Sequence, residues 1–69
     1  MSKTAQTLNK LPDGAHTWLE LMKGDYKTLE TEVMRKEYRA MISGFVTSLY
    51  RVGLITDVER RLLFTWAVL

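Results

Sequence analysis

The 69-residue sequence contains no cysteine and only one histidine, His16. Without cysteine the chain can form neither a disulfide nor a thiolate metal site, and one histidine cannot complete a zinc site without carboxylates or another chain. A chain this short buries only about 60% of its unfolded surface, so small domains usually depend on a disulfide, a metal or a partner subunit. Of these three aids, a partner subunit remains.

Long apolar runs are also missing. No stretch approaches the ~20 residues of a membrane span, and the N-terminal residues have no apolar signal core. We therefore expect a cytoplasmic protein with no membrane partner. The net charge is only +2, from ten basic and eight acidic residues, which does not indicate a nucleic-acid partner by itself. A hydrophobic fraction of 46% favours a folded domain over a disordered chain.

Motifs for catalysis are absent as well. The sequence has no Gly-rich phosphate loop, no metal-ligand cluster and no nucleophile–base pair at a recognisable spacing. His16 falls in the first turn of a short predicted helix, and we interpret it as a surface or packing residue rather than a general base or pH switch. The sequence thus predicts a protein that is not an enzyme, with no catalytic residues, no cofactor, no metal and no small-molecule substrate.

What the sequence does contain is helical periodicity. Between residues 28 and 52, seven apolar side chains recur at three- and four-residue spacing, which places them on one side of a helix. They are Met34, Tyr38, Met41, Ile42, Phe45, Leu49 and Val52. The pattern predicts a long central helix over 28–52, with its N-cap at Asp25 or Thr28 and its end at Gly53.

Two shorter helices flank the central one, so the predicted fold is an all-α, three-helix domain with helices at about 14–23, 28–52 and 57–68. Residues 1–10 are polar and are expected to form a flexible tail, which leaves 11–69 as the single domain. A Pro-Asp-Gly turn precedes the first helix, and Gly24 is placed to end it. Trp18 is expected to pack against the central stripe, with a partner-binding role as the alternative.

The segment 49–63 predicts a helical hairpin. Gly53 ends one helix, and Thr56 with Glu59 three residues later forms a capping box, the signature of a new helix. With its Leu-Tyr, Gly-Leu-Ile-Thr, Glu and Leu-Leu succession, the segment resembles the short C-terminal hairpin module known as SHOCT. That resemblance implies a role in oligomerisation.

The last helix is apolar on nearly every side. Its inner face is expected to consist of Val58, Leu62, Trp66 and Leu69, yet from Leu62 onward only Thr65 is polar. A helix that is apolar all round is buried all round, and so small a chain has little interior to enclose it. A C-terminal strand is the alternative, since several of these residues favour strands. The predicted protein interface is Val46, Tyr50, Phe64, Trp66, Val68 and Leu69.

These observations favour a small protein-interaction module, either a homodimer or a regulator or inhibitor bound to a larger protein, as phage and plasmid accessory proteins often are. Aromatic anchors supply most of the energy in many interfaces. The alternative is a small helix–turn–helix-like DNA-binding regulator. Because the last helix offers almost no side chains that read base edges, such a protein would contact phosphate only. Those contacts would come from Arg35, Lys36, Arg39, Arg60 and Arg61.

Overall fold

The computed structural model describes residues 2–69, and every regular element in that range is an α-helix. The helices are α1 (Lys3–Lys10), α2 (Asp13–Thr28), α3 (Glu32–Arg51) and α4 (Asp57–Val68). The predicted all-α class is confirmed, but residues 2–69 form four helices where the sequence indicated three. None of the helices in residues 2–69 is both long and apolar enough to span a membrane.

The additional helix, α1, lies where a flexible tail was predicted. Ser2 caps it by accepting a hydrogen bond from the backbone N–H of Ala5, at 3.1 Å. Eight residues are too few for a stable helix in water, so tertiary contact must support it. That contact is made with α4, and Thr7, Leu8 and Leu11 are buried in it. The sequence did not predict this helix because most residues of the segment are polar and few apolar ones mark its buried side.

The loop between α2 and α3 lies further along the chain than the sequence predicted. Helix α2 continues through Gly24 to Thr28, because Tyr26 in its last turns packs into the same core cluster as Met22. Helix α3 starts at Glu32 rather than at residue 28, since Thr31 is the N-cap whose side chain accepts from the backbone N–H of Met34. The predicted ends at Gly24 and the caps at Asp25 and Thr28 were wrong.

The turn between α3 and α4 is the one that the sequence predicted. Gly53 takes a positive φ of 84°, and its N–H donates to the carbonyl of Tyr50 while that of Leu54 donates to Leu49. This is a Schellman ending. Both hydrogen bonds of the Thr56–Glu59 capping box are present, and α4 covers the predicted range. The strand alternative for the C-terminal residues is excluded.

Substitution of the two glycines is expected to have opposite effects. Gly53→Ala forces a Cβ into the left-handed region and should lower the free energy of unfolding by about 1 kcal/mol. Gly24→Ala should raise it by roughly 0.5–1 kcal/mol, because Gly24 is helical and a Cβ built there meets nothing within 4 Å. Urea unfolding followed by circular dichroism measures both. A Gly53→Ala variant as stable as the wild type would contradict the assigned ending.

Helix α4, rather than the long α3, is the centre of the fold, because it packs against all three other helices. Leu63 and Ala67 on α4 are fully buried. Leu63 belongs to the larger core cluster, and Ala67 belongs to a smaller one at the other end of the helix. The larger cluster is completed by Leu8, Leu11, Leu19, Val46, Leu49 and Ile55, and the smaller one by Met22 and Ile42.

The inner faces of α3 and α4 differ from those predicted. On α4, Val58 and Leu69 point to solvent, while Leu63 takes the inner position expected of Leu62. On α3, the buried residues are Ile42, Val46 and Leu49, whereas much of the predicted stripe, including Met34 and Met41, is exposed. Periodicity therefore predicted the helix correctly, but the side that is buried is rotated about the helix axis from the predicted stripe.

Candidate interaction surfaces

The predicted interface residues do not form one open surface. Val46 is 0% exposed and belongs to the protein's own core, so its prediction as an interface residue is corrected. Phe64, Trp66 and Val68 are half-buried against the core clusters. Tyr50 and Leu69 are exposed, and Leu69 retains 78% of its accessible surface. Helices α1, α2 and α3 thus cover most of the apolar helix that was expected to need another chain.

One side of α4 stays uncovered. Val58, Leu62, Thr65 and Leu69 follow one another at spacings of four, three and four residues, so they lie in one line along the helix. Val58, Thr65 and Leu69 are exposed and Leu62 is half-buried. A helix of 12 residues is only about 18 Å long, so this line is a narrow apolar strip.

A wider uncovered surface lies along α2 and α3. The Tyr38 hydroxyl donates to Oδ2 of Asp25 at 3.1 Å, which brings these two sides of the helices together. Trp18 and Leu21 precede Asp25 by seven and four residues, so they share its side of α2. Met34 and Met41 flank Tyr38 by four and three residues on α3 and share its side in the same way. We call Trp18, Leu21, Met34, Tyr38 and Met41 the α2–α3 face.

The large side chains of the α2–α3 face are open to solvent. The exposed fractions are 51% for Trp18, 53% for Leu21 and 47% for each of Met34 and Met41. Single exposed apolar residues are normal, but a contiguous group of them marks a site of interaction. The expectation that Trp18 packs in the core was therefore wrong, and the alternative of a partner-binding role remains open.

A shallow groove of about 300 Å³ forms one end of the α2–α3 face. Leu29, Met34, Tyr38 and Met41 line it, and Glu37 supplies its carboxylate. Methionine side chains are flexible and polarizable, which suits them to surfaces that adapt to a partner. The groove has room for one or two apolar side chains.

Most of the basic side chains proposed for phosphate contact form hydrogen bonds or ion pairs with other groups of the same chain. Arg39 donates to Oε1 of Glu32 at 2.7 Å and to the Tyr26 hydroxyl at 2.8 Å. Arg39 also lowers the pKa of the Glu32 carboxyl. Arg35 donates to the carbonyl of Leu29 at 3.0 Å.

The two arginines of α4 share a single carboxylate. Asp57 accepts from Arg60 at 2.7 Å and pairs with Arg61 at 3.1 Å, and hydrogen bonding to Arg60 is the main cause of its lowered pKa. In residues 2–69, Arg35 and Lys36 are the members of the proposed phosphate-binding set to which the structure gives no ion pair, since Arg35 contacts only a backbone carbonyl. Internal pairing cancels much of the field that nucleic-acid binding requires.

Glu59 is the electrostatic link between α1 and the α3–α4 hairpin. Its Oε1 accepts from the Thr56 backbone N–H at 2.8 Å and from Nζ of Lys10, and its Oε2 accepts from the Thr7 hydroxyl at 3.4 Å. Hydrogen bonding from Lys10, followed by that from Thr56, lowers the pKa of Glu59 from 4.5 to about 2. One carboxylate thus caps α4 and holds α1 in place.

A second cross-helix contact closes the far end of α4. Nζ of Lys23 donates to the carbonyl of Trp66 and lies 4.8 Å from the centroid of the Trp66 ring. A cation at a helix C-terminus satisfies free carbonyls, and its position over the indole adds a cation–π attraction. Burial is the main cause of the lowered pKa of Lys23. Trp66 is therefore engaged by its own chain.

His16 lines a separate cleft with Asp13, Thr17 and Glu20. Its Nε2 lies 3.5 Å from Oε1 of Glu20, one helical turn away, a partner that the sequence analysis did not identify. Within residues 2–69 no group of three or more His, Asp or Glu side chains is arranged to hold a metal ion. The cleft has no feature beyond this pair that points to chemistry.

Sequence reasoning missed the α2–α3 face because it assigned Trp18 and the α3 stripe to the core. The stripe on α3 contains both buried residues, such as Ile42 and Leu49, and exposed ones, such as Met41, and periodicity does not say which of them the rest of the chain covers. Comparison with protein-family models, with curated proteins and with solved structures finds no match for this chain. The likeness of residues 49–63 to the SHOCT module therefore stays a resemblance.

Proposed function

We propose that this protein is a small non-catalytic interaction module, acting as a homo-oligomer or as a regulator that binds a larger protein. The observation that carries the proposal is the α2–α3 face, with four large apolar side chains each about half exposed on two adjacent helices. Removal of such side chains from water is the main driving force of protein association. The uncovered strip on α4, from Val58 to Leu69, is the smaller candidate surface.

The supporting argument is one of energy. Full burial of a completely exposed apolar side chain gains roughly 1.5–3 kcal/mol. The four large apolar side chains of the α2–α3 face are about half exposed, so a partner that covers them gains about half of that for each one. Aromatic residues such as Trp18 are typical anchors of binding energy. The pairing of Arg35, Arg39, Arg60 and Arg61 with groups of the same chain favours this role over phosphate binding.

Site-specific photo-crosslinking in the source cells tests the proposed function. A benzophenone amino acid replaces Trp18 or Met41 in the face, or Glu20 on another side of α2 as the matched control. We expect covalent adducts from positions 18 and 41 and few or none from position 20. Adducts absent from both face positions, or equally abundant at the control, would contradict the proposal. The mass of an adduct distinguishes a second copy of the 8.0 kDa chain from a larger protein.

A further inference from the structure

Two opposite charges lie on α3 at equal distances from Gly44. Glu37 precedes Gly44 by seven residues, and Arg51 follows it by seven. Fourteen residues are close to four helical turns, so both side chains project on nearly the same side of the helix, each about 10 Å from Gly44 along the axis. That side borders the α2–α3 face, since Glu37 also lines its groove.

Both charges are open to a partner. Glu37 and Arg51 are exposed, and no ion pair or hydrogen bond in residues 2–69 engages either side chain. Several other arginines and glutamates of α3 and α4 are paired within the chain, as Arg39 is with Glu32. The surface beside the α2–α3 face thus includes charges of both signs that have no ion pair in the described part of the chain.

We infer that the partner of the α2–α3 face is a second copy of this chain, packed with α3 antiparallel to its counterpart about a two-fold axis near Gly44. This inference rests on the proposed function. The two-fold operation places Glu37 of one copy opposite Arg51 of the other, and it does so twice because the interface is isologous. Charge complementarity of this kind sets the register of an interface.

The apolar residues obey the same symmetry. Met34 lies ten residues before Gly44 and Val52 eight after it, so Met34 of one copy lies within about 3 Å, along the helix axis, of the level of Val52 of the other. Both are exposed in the isolated chain, and both lie on the same side of α3, since eighteen residues make five full turns. The pairing removes from water two large apolar side chains that the monomer leaves uncovered.

The available surface matches the size that a stable dimer needs. A standard interface buries about 800 Å² per partner, which is roughly a sixth of the 4534 Å² accessible surface of this chain. Helices α2 and α3, of 16 and 20 residues, are about 24 and 30 Å long and pack about 10 Å apart. Their common outer side therefore has an area of the required order, whereas α4 alone does not.

A charge-exchange experiment tests the inference. Sedimentation equilibrium is measured for the wild type, for E37K, for R51E and for the double variant E37K/R51E, with E20K on another side of α2 as the matched control. We expect a dimer for the wild type and for E20K. Each single variant should weaken dimerisation about tenfold or more, because it removes two ion pairs and creates two repulsions. The double variant should regain most of the wild-type affinity.

The other outcomes overturn the inference. A wild-type protein that stays monomeric at millimolar concentration rules out the dimer, and so does a dimer that the single variants leave unchanged or that the double variant does not restore. Circular dichroism checks that each variant is folded, and M41E, a change at an exposed apolar position, provides a second route to loss of the dimer. Crosslinking of Trp18 to a larger protein, together with a monomeric wild type, would leave the proposed function intact while removing the second copy as the partner.

Discussion

Replacement of Leu63 by alanine is expected to lower the free energy of unfolding by about 3 kcal/mol, within the 2–5 kcal/mol typical of buried leucines. Leu63 is fully buried on the helix that contacts all the others, in a cluster with residues from each of the other helices. The loss combines the transfer free energy of the removed methyl groups with the cavity they leave. At roughly 0.05–0.15 kcal/mol per residue, a domain of this length is stable by about 3.5–10 kcal/mol, so the expected loss is between about a third and nearly all of the total.

The adjacent leucine provides the matched control. Leu62→Ala removes the same atoms one residue earlier, from a half-buried position on the uncovered side of α4. We expect that variant to lose about 1 kcal/mol or less, because little of a cavity forms at the surface. Thermal and urea unfolding of the two proteins gives the comparison. Equal losses would contradict the inner face assigned to α4, and a larger loss for Leu62→Ala would restore the face that the sequence predicted.

Glu59→Ala is expected to be the second most damaging of these changes, with a loss of about 2 kcal/mol. The substitution leaves the Thr56 backbone N–H without its acceptor and removes the partner of Lys10, so it weakens the start of α4 and the attachment of α1 together. Glu59→Gln separates the two roles, because glutamine can complete a capping box but cannot form the ion pair. We expect it to lose about half as much, since Lys10 is partly exposed and its pair is weakened by solvent.

Glu59 also gives stability a defined pH dependence. Its pKa is about 2 in the folded protein against an ordinary value of 4.5, so the unfolded chain binds the proton more tightly. The contribution of Glu59 is therefore complete above about pH 5 and is lost as the pH falls toward 2. The pKa values of Glu32 and Asp57 are lowered too, and they add to the slope in the same direction.

Comparison with Glu59→Gln isolates the effect of this one carboxyl, because Glu32 and Asp57 are unchanged in the variant. Urea unfolding between pH 7 and pH 2 should show a shallower decline of stability for the variant than for the wild type. Hydrogen exchange at the amides of α1 should follow the same trend in the wild type, with protection lost as Glu59 is protonated. Parallel pH profiles for the two proteins would show that Glu59 is not the group responsible.

The sequence by itself determined the features that depend on neighbouring residues. The all-α class, the ending at Gly53, the capping box of Thr56 and Glu59 and the bounds of α4 all follow from contacts within a few residues, which any fold containing this segment would preserve. The exposure of the apolar residues Met34 and Met41 could not be predicted from neighbouring residues. Periodicity reports that a helix has an apolar side, and it does not report whether the rest of the chain covers it.

Only the tertiary structure decided which helix is central. Helix α4 is covered on three sides because α1 forms on it, and α1 in turn depends on Leu8, Leu11 and the link from Lys10 to Glu59, which spans 49 residues of chain. Those contacts offset the conformational entropy lost when α1 becomes ordered, since the segment is too short and too polar to form a stable helix alone. The cover that α1, α2 and α3 give to α4 leaves the wider uncovered apolar surface on α2 and α3, because a chain this short buries only about 60% of its unfolded surface.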